Sequence, residues 1–514
     1  ALKIVTVKEM RRLEESASNH GISTDQLMER AGLAVAQEIR KALGTAAGKR
    51  VLVLVGPGNN GGDGLVAARH LARWGASVTA YLTAKRQEED PKLDLALREE
   101  VTLSRASNDA GYQTLDKTVG SSHAVIDAVL GTGRARPLEG AVKDVMLRLG
   151  NKQGILIALD LPTGVDADTG EADPAAPRAD ITLTLGFPKV GLFRFPAAER
   201  VGRLKVLDIG IPAELAQDIP LEILTSSWVR DKLPRRTKDS HKGTYGHALI
   251  IGGSVNYPGA AYLATQGALR SGPGLVTLAT PRSIQPMLAS KLTEAIHLPV
   301  PDDGLGSLAP EGVSSVKEAL SQYSSLAIGC GMGHSDSARR FVIDLLLSDP
   351  QPTQPLVVDA DGLNILAAIE GWWDRLKTPA ILTPHPGEMS RLTGVSTPKI
   401  QARRVDLARE WSARWGKVVV LKGAFTVVAS PGGTCWVSPF ANPVLATGGT
   451  GDVLTGVIAG LLAQGLALED AACCGVYLHG AAAERLSAIY GDRGATAGDL
   501  LDELPATTKS IIES

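Results

Sequence analysis

The sequence predicts an α/β protein of two domains, each a three-layer sandwich with a parallel β-sheet between layers of helices. Apolar, strand-like runs alternate with helical patterns over residues 51–207, and the same alternation returns over residues 247–488. Between residues 210 and 240 this periodicity fades. Continuous apolar strands that alternate with helices are typical of a parallel sheet covered on both faces. A chain of 514 residues is also too long for one ordinary domain.

The first domain, assigned to residues 1–218, opens with two helices and continues as strand–helix units. Thr6 is a candidate N-cap for the first helix, and Ser23 or Thr24 for the second, which runs to Leu43. The later elements are predicted as strand 51–55, helix 63–74, strand 77–82, helix 88–101, strand 124–129, helix 139–149 and strands 155–159, 181–185 and 204–207.

The second domain, assigned to residues 228–514, follows a stretch at 233–238 that carries proline and charge and is a candidate linker. Its alternation again predicts a parallel sheet. The predicted elements are strand 247–251, helix 259–271, strands 275–279 and 325–329, helix 336–347, strands 355–358 and 380–382, helix 399–414, strands 417–421 and 425–429, and helices 452–464 and 469–488.

Composition excludes several classes of protein. The formal net charge of −2 argues against a nucleic-acid scaffold, which carries a basic excess. The four cysteines form no C-x-x-C pair and the histidines no H-E-x-x-H spacing, so neither a disulfide framework nor a transition-metal site is expected. No apolar run approaches about 20 residues, so we expect a cytoplasmic protein without a membrane partner. Helices rich in alanine and glycine favour subunit packing, and a homo-oligomer is expected.

A glycine-rich run at residues 56–64 directly follows the first apolar strand. Glycines between a strand and a helix let backbone N–H groups approach a phosphate. The spacing Gly-Pro-Gly-Asn-Asn-Gly matches a dinucleotide fingerprint, which also needs an acidic residue at the end of the next strand. That strand ends instead with Lys85 and Arg86. An NADP-type oxidoreductase, with one of these cations on the 2′-phosphate, therefore stays open as an alternative.

Carboxylates follow three of the predicted strands. Asp63 closes the Asn-Asn-Gly-Gly-Asp core, Asp127 lies in Asp-Ala-Val-Leu-Gly-Thr-Gly, and Asp160 opens Asp-Leu-Pro-Thr-Gly-Val-Asp. Any one of them is typical of a turn or a helix cap. The carboxyl ends of parallel strands converge on a ligand crevice, however, and three such motifs at three strand ends indicate a site.

Together these motifs resemble the NAD(P)H-hydrate epimerase family over roughly residues 1–215. The resemblance implies a Rossmann-like fold and interconversion of the R and S epimers of the hydrated nicotinamide nucleotide. It implies a potassium ion bound by Asn60, Asp127 and Thr163, and a reacting end that contacts Asp160, a plausible acid/base. The substrate-binding residues that it implies are Asn59, Asn60, Gly61, Gly62, Asp63, Gly131, Thr132, Gly133, Arg134, Ala135, Arg136, Pro137 and Asp160.

A second glycine cluster, Gly448-Gly449-Thr450-Gly451-Asp452, opens an apolar helical run in the other half. Its N–H groups can neutralise phosphate charge as it develops. Asp452 is then placed as a base toward a hydroxyl that attacks the terminal phosphoryl group. The alternative is that Asp452 is only a favourable carboxylate in a first helical turn. A Walker A loop is absent, which excludes P-loop kinases.

Other segments of this half carry the motifs H-K-G-T-Y-G-H, G-C-G-M-G, D-A-D-G-L-N, T-P-H-P-G-E and L-K-G-A. With the glycine cluster they resemble the ADP/ATP-dependent NAD(P)H-hydrate dehydratase family, of ribokinase-like fold, over about residues 235–505. The resemblance implies magnesium with ADP or ATP, with Glu388 as a candidate carboxylate for the metal. It implies nucleotide contacts from Lys422, Gly423, Ala424, Phe425, Thr426 and Gly451. It implies dinucleotide contacts from Ala260, Gly333, His385 and Asp452, with Asp452 catalytic.

The sequence therefore predicts a bifunctional enzyme that repairs hydrated NADH and NADPH: an isomerase joined to a lyase. One alternative keeps the second half as a kinase for a vitamin-like alcohol, which would accumulate a stable phosphorylated product. Another treats the first half as a non-catalytic binding module. The presence together of Asn60, Asp127 and Asp160 argues against that module, since a scaffold need not keep them.

Overall fold

The computed structural model describes residues 2–133 and 137–514. Three of the expected substrate residues, Arg134, Ala135 and Arg136, lie outside this described part. Within it, no helix combines the length and the apolar character needed to span a bilayer.

The chain forms two units, one of residues 3–219 and the other of residues 220–514 together with Leu2. The candidate linker at 233–238 lies inside the second unit, where Leu233 is buried. The change of unit occurs earlier, because a helix that packs in the second unit already precedes this stretch.

A seven-stranded parallel sheet forms the centre of the first unit. After β1 (Leu2–Lys3), its strands are β2 (Arg50–Val55), β3 (Ser77–Leu82), β4 (Thr102–Arg105), β5 (Ala124–Ala128), β6 (Ile155–Leu159), β7 (Ile181–Leu185) and β8 (Arg203–Leu207). The helices are α1 (Val7–Asn19), α2 (Thr24–Leu43), α3 (Asn59–Arg73), α4 (Pro91–Arg98), α5 (Gln113–Ser121), α6 (Gly140–Arg148) and α7 (Ala198–Val201).

The spatial order β4-β3-β2-β5-β6-β7-β8 is that of a Rossmann-like sheet. The order reverses between β2 and β5, so the ligand crevice is expected where these two strands end. Leu52 and Leu54 pack toward α5 and α6, whereas Val53 faces α3. Helices thus cover both faces, as the continuous apolar strands predict.

The first two helices begin at the predicted caps. Thr6 and Ser23 each accept a hydrogen bond from the third helical N–H, and each helix closes a capping box with a side chain at that position. The edge strand β4 and the helix α5 were not predicted. Residues of β4 are exposed or half-buried, so no apolar run marks them.

The helix α3 starts earlier than its apolar pattern predicts, at Asn59 rather than near Asp63. The Asn-Asn-Gly-Gly-Asp core therefore forms the first turns of this helix instead of a separate glycine turn. Glycine allows this close packing: a Cβ at Gly64 would lie 2.5 Å from the Cβ of Ala128, on the neighbouring β5. The helix N-terminus consequently lies directly against the sheet.

Gly56, which follows β2, has no room for a side chain. A Cβ there would lie 1.9 Å from the carbonyl oxygen of Val129, a backbone atom that cannot turn away. We expect Gly56→Ala to destabilise the first unit by about 1–3 kcal/mol, measured as a lower midpoint of thermal unfolding. Gly58→Ala is the control, because a Cβ there meets no atom within 4 Å. Equal midpoints for the two variants would contradict this account.

The second unit contains a larger, mixed sheet. Its strands are β9 (Leu221–Ile223), β10 (His247–Ile251), β11 (Leu275–Pro281), β12 (Ile296–Val300), β13 (Ser325–Ile328), β14 (Leu356–Val358), β15 (Ala380–Leu382), β16 (Val418–Leu421), β17 (Val427–Ala429) and β18 (Cys435–Val437). The spatial order is β1-β9-β18-β17-β16-β15-β14-β13-β10-β11-β12.

The helices of this unit cover both faces of its sheet. They are α8 (Ser226–Lys232), α9 (Pro258–Ser271), α10 (Gln285–Ala289), α11 (Val313–Ala319), α12 (Asp336–Leu346), α13 (Ala360–Ala367), α14 (Trp372–Arg375), α15 (Pro386–Thr393), α16 (Thr397–Ala402), α17 (Arg404–Trp415), α18 (Thr450–Ala463), α19 (Leu468–Tyr490) and α20 (Ala497–Ile512). Val418 and Val420 belong to the core that α9, α18, α19 and α20 form, and the alternate residue Val419 is also buried. The predicted three-layer α/β class is confirmed.

The second sheet is parallel over most of its strands, as predicted, but it contains one antiparallel strand. β17 runs antiparallel to both β16 and β18. The connections between these strands, residues 422–426 and 430–434, are too short for the crossover that a parallel pair requires.

Close packing of α18 on α9 fixes the start of α18. A Cβ at Gly456 would lie 1.9 Å from the carbonyl oxygen of Ala264, and one at Gly267 would lie 2.4 Å from that of Val453. The first turn of α18, which carries Gly451 and Asp452, is therefore held by backbone contacts on its inner side.

Candidate active sites

The first candidate site is a cavity of about 390 Å³ at the carboxyl ends of β2, β5 and β6. We call it the first cavity. Its walls come from the start of α3, the loop after β5, the residue that follows β6, and α1. Among the predicted substrate residues, those lining it are Asn59, Asn60, Asp63, Gly131, Thr132, Gly133 and Asp160.

Three other predicted residues of this site lie elsewhere. Gly61 packs behind the helix start, since a Cβ there would lie 2.1 Å from the carbonyl oxygen of Gly56. Gly62 packs on Met28. Pro137 lines an adjoining cavity of about 500 Å³ that shares Leu130, Gly131 and Gly133 with the first cavity.

Asp127 and Thr163 form a hydrogen-bonded pair next to Leu130, a residue that lines the first cavity. Asp127 is fully buried, and its carboxylate accepts hydrogen bonds from the hydroxyl of Thr163 at 2.6 Å and from the N–H of Thr163 at 2.7 Å. The hydroxyl of Thr163 in turn accepts from the N–H of Leu130 at 3.1 Å. Burial raises the pKa of Asp127 to about 6, against the effect of these hydrogen bonds.

Asn60 faces the same loop and has an unsatisfied amide. Both polar atoms of its side chain are buried without a hydrogen-bond partner in the described part of the chain. A Cβ at Gly131, next to Leu130, would lie 3.3 Å from the Asn60 amide carbon. Buried polar atoms are normally paired, so an unpaired buried amide of this kind needs an explanation such as a bound ion.

Asp160 also lines the first cavity and forms a buried ion pair that the sequence does not predict. Its Oδ1 accepts from Lys189 Nζ at 2.5 Å and from the N–H of Leu185 at 3.0 Å. Asp160 also has a left-handed backbone, with φ of 68°. Positive φ is rare for residues other than glycine and is found where surrounding structure enforces it, often at functional sites.

Two further carboxyl groups face the first cavity. Burial raises the pKa of Asp63 well above its ordinary value, and the charges of Asp160 and Glu14 act in the same direction. Burial also raises the pKa of Glu14, a residue of α1, while Lys189 opposes the rise. The cavity therefore combines an ion-paired carboxylate with two further carboxyl groups whose pKa values are raised, an arrangement suited to moving protons.

The two cations that the oxidoreductase alternative requires, Lys85 and Arg86, are not placed to bind a ribose phosphate. Arg86 donates from Nη1 to the carbonyl oxygens of Gly56 and Gly58, at 2.5 and 3.1 Å, and from Nε to Asp90 at 2.5 Å. Its guanidinium therefore holds the glycine loop instead of facing a ribose phosphate. Lys85 points into solvent and lies 3.7 Å from Glu88.

The second candidate site surrounds the start of α18. Lys422 Nζ lies 2.8 Å from Asp359 Oδ1, and a Cβ at Gly451 would lie 3.3 Å from the same Nζ. Asp359 is buried, and its other oxygen accepts from the hydroxyl of Thr455 at 2.6 Å. The ammonium group of Lys422 thus lies close to the first turn of α18, whose N–H groups lack partners within the helix. This arrangement suits a phosphate group.

Asp452 projects from the same helical turn beside Asp359 and Cys330, with ligand atoms of all three within 4.8 Å of one another. Burial raises the pKa of Asp452 to about 6, and the charge of Asp359 adds to the rise. Burial would also raise the pKa of Asp359, but Lys422 brings it below its ordinary value. Asp359 is thus the ionised carboxylate of the pair, and Asp452 is the one that exchanges a proton near neutral pH.

The segment Thr-Pro-His-Pro-Gly-Glu begins α15 and adjoins this site. His385 Nδ1 accepts from the N–H groups of Gly387 and Glu388, and Glu388 accepts from the N–H of His385 at 2.8 Å, which completes a capping box. The pKa of His385 is lowered by burial and by Lys422, which keeps the ring neutral. The Glu388 carboxylate caps this helix, and burial raises its pKa to about 7; its candidate role toward magnesium stays a prediction.

The predicted nucleotide segment forms the tight loop between β16 and β17. The N–H of Lys422 donates to the carbonyl oxygen of Pro384 at 2.9 Å, which joins this loop to the His385 segment. Arg404, buried behind the loop, donates to the carbonyl oxygens of Leu421 and Lys422 at 2.8 and 3.2 Å. Gly423 has φ of 142°, and a Cβ there would lie 2.9 Å from the Arg404 guanidinium. Of the other predicted residues, Thr426 closes the loop, since its hydroxyl donates to the carbonyl oxygen of Gly423 at 2.9 Å.

Ala260 and Gly333, the remaining predicted residues, belong to the same neighbourhood. The N–H of Gly333 donates to Asp361 Oδ2 at 2.8 Å, and a Cβ at Gly331 would lie 2.7 Å from the Cβ of Ala260. Gly331 follows Cys330 of the acidic cluster. Ala260 and Gly333 therefore lie near the segment that carries Cys330, and their contact with a dinucleotide stays a prediction.

Several site residues were not predicted from the sequence. Lys189 and Glu14 are single charged residues in no motif, far from Asp160 in the chain, so only the fold brings them to it. Asp359 lies in the motif Asp-Ala-Asp-Gly-Leu-Asn, but the sequence analysis predicts no role for it. Its position at the end of a buried strand was the available signal, as for Asp127 and Asp160.

Comparison with known proteins bears on both units. A family model described as NAD(P)H-hydrate dehydratase matches residues 248–506, and one described as YjeF-related protein N-terminus matches residues 24–191. A bifunctional NAD(P)H-hydrate repair enzyme of Moorella thermoacetica is 40% identical, over 99% of this chain and 97% of its own. This chain belongs to the NAD(P)H-hydrate repair enzyme family.

Further relatives agree with this membership. The repair enzyme of Escherichia coli is 34% identical, over 95% of this chain and 90% of its own. Among solved structures, a ribokinase-like superfamily protein of Enterococcus faecalis matches 57% of this chain and 98% of its own, with 25% identity and a TM-score of 0.50. The ribokinase-like fold of the repair enzyme's second unit is thereby confirmed. Family membership also favours repair over the alternative of a vitamin-like alcohol kinase.

Proposed function

We propose that this repair enzyme interconverts the R and S hydrates of NADH and NADPH in its first unit and dehydrates the S form in its second. The observation that carries the proposal is an acid at each candidate site: Asp160, buried directly after β6, and Asp452, half-buried in the first turn of α18 beside Asp359. The two acids belong to different units, which supports two separate reactions on one dinucleotide.

In the first unit, Asp160 serves as the acid/base toward the hydroxyl-bearing ring carbon. A potassium ion would fit the oxygens of Asn60, Asp127 and Thr163, because the buried amide of Asn60 is unpaired and packs by Gly131, next to Leu130, whose N–H donates to Thr163. Potassium favours several neutral oxygens together with few charges. These three residues would hold the ion, which would supply positive charge near the substrate.

In the second unit, Asp452 takes the proton of the ring hydroxyl as its oxygen attacks the terminal phosphorus of ADP or ATP. Phosphorylation converts a poor leaving group into a good one. The lone pair of the ring nitrogen then expels phosphate, and loss of a proton from the adjacent ring carbon restores the dihydronicotinamide. Lys422 and the first turn of α18 stabilise the phosphate charge. Magnesium would be held by the nucleotide phosphates and would neutralise part of their charge.

This role predicts how dehydration depends on pH. Since the pKa of Asp452 is raised to about 6, the base is protonated below that pH and ionised above it. The rate on S hydrate at saturating nucleotide should therefore rise about tenfold per unit of pH below about 6 and level off above it. A rate that stays constant from about pH 5 to about pH 7 would contradict the assignment.

The test of the proposed function starts from a mixture of R and S hydrates with the protein, ADP or ATP, magnesium and potassium. Recovery of the reduced-cofactor absorbance is followed to completion. Complete recovery is expected. Recovery that stalls with the R form left over would refute the epimerase activity. Absence of any recovery would refute the dehydratase activity, and a stable phosphorylated product would favour the kinase alternative.

We also propose that the enzyme works in the cytoplasm. All four cysteines are buried free thiols, as expected in a reducing compartment. A homo-oligomeric assembly stays a prediction.

A further inference from the structure

Lys189 is a lysine whose side chain is only 1% exposed, in the loop that follows β7. Burying an ammonium group is costly unless it is paired and hydrogen-bonded. The backbone around it is held by Val5, whose N–H donates to the carbonyl oxygen of Pro188 at 3.0 Å and whose carbonyl oxygen accepts from the N–H of Val190 at 3.0 Å. The loop thus fixes Lys189 in the wall of the first cavity.

All three donors of this ammonium group have acceptors. Nζ donates to Asp160 Oδ1 at 2.5 Å, to the carbonyl oxygen of Leu185 at 3.0 Å and to the hydroxyl of Thr184 at 3.3 Å. Asp160 Oδ1 also accepts from the Thr184 hydroxyl at 3.2 Å and from the N–H of Leu185 at 3.0 Å. Oδ1 is therefore saturated, while Oδ2 receives no comparable hydrogen bond from the described residues. The second oxygen is the one available to a ligand.

The charges around Asp160 explain why a cation is needed. Arg11 and Glu14 of α1 and Asp63 of α3 line the same cavity, and the charge of Lys92 of α4 acts on Asp63. Lys189 is the cation hydrogen-bonded to Asp160, and without it the Asp160 carboxylate would have no hydrogen-bonded cation among the described residues. A buried ion pair is weak evidence of a gain in stability, because replacing both of its members by apolar residues often leaves the free energy of unfolding unchanged.

We propose that Lys189 is a positioning residue for epimerisation: its ammonium group holds Asp160 by Oδ1 and leaves Oδ2 free to accept the proton of the ring hydroxyl. This inference rests on the proposed epimerase function. The left-handed backbone of Asp160, held by its N–H donation to the carbonyl oxygen of Leu183 at 2.8 Å, contributes to the same orientation.

The main test is Lys189→Met, assayed by chromatographic separation of the R and S hydrates in the absence of nucleotide. At neutral pH we expect kcat for epimerisation to fall about 100-fold, with KM changed much less. The acidic limb of the pH–rate profile should move to higher pH by about one unit or more. Dehydration of pure S hydrate should be unchanged.

Lys205→Met is the matched control, because Lys205 pairs with Glu38 at 2.5 Å on the exposed surface of the same unit. It should leave kcat and the pH profile unchanged. Thr184→Val removes one donor to Asp160 Oδ1 without removing the cation, and tests the idea if Lys189→Met does not fold. A smaller shift of the acidic limb in the same direction is expected from it.

A wild-type pH profile in Lys189→Met, or in Thr184→Val where the first variant is unfolded, would overturn the role of Lys189. So would a loss confined to KM, which would make Lys189 a simple binding residue. If the wild-type protein does not interconvert the hydrates at all, the proposed function itself fails, and that outcome is distinct from the others.

Discussion

Asp452→Asn should lower dehydration of S hydrate by about 1,000-fold or more, because asparagine keeps the shape of the side chain but cannot accept the hydroxyl proton. Asp452 is half-buried in the first turn of α18, and its acidic neighbour Asp359 is already paired with Lys422, which leaves few substitutes for this base. The measurement is nucleotide-dependent recovery of reduced-cofactor absorbance from pure S hydrate. Interconversion of R and S in the first unit should continue at the wild-type rate.

The control separates a catalytic carboxylate from one that only favours a helix start. Asp499 occupies the first turn of α20, where it completes a capping box with Thr496. Asp499→Asn should cost about 1 kcal/mol of stability and no activity. If Asp452→Asn behaved in the same way, with lowered stability and normal turnover, its role as a base would be wrong.

Asp160→Asn should abolish epimerisation and leave dehydration intact. The variant keeps hydrogen-bonding capacity but loses the charge that accepts a proton and that balances Lys189. With a mixture of hydrates and nucleotide, the S form should be consumed at the normal rate, and the R form should persist, declining no faster than in buffer alone. The composition of the residual hydrate, resolved by chromatography, measures this.

Asp180→Asn is the comparison for that variant, since Asp180 pairs with Lys152 at 2.7 Å on the surface of the same unit. It should consume both hydrates normally. Full turnover of the R form by Asp160→Asn would refute the role assigned to Asp160.

Elements with a local signal could be predicted from the sequence. Apolar strands with glycine-rich connections predicted nearly the whole first sheet, and Thr6 and Ser23 predicted the first two helix starts. Strands without an apolar run, such as β4, were missed. The start of α3 at Asn59 was placed too late, because glycines normally weaken a helix and here permit its contact with the sheet.

Site residues could likewise be predicted only where a local motif marks them. Asp160 and Asp452 stand at strand and helix ends within motifs, so their positions carry information. Lys189 contacts Asp160 across 29 residues of sequence, and Lys422 contacts Asp359 across 63. Such pairs arise only when distant loops meet at one edge of a sheet, and neither spacing nor composition marks them.

The most direct test of two independent sites mixes the two inactive variants. Asp160→Asn retains the second site and Asp452→Asn retains the first, so an equimolar mixture given pure R hydrate, nucleotide, magnesium and potassium should recover all of the reduced cofactor. Each variant alone should leave the R hydrate unrecovered beyond the spontaneous rate. A mixture that recovers no more reduced cofactor than either variant alone would contradict this account, in which each unit carries out its own reaction with its own acid.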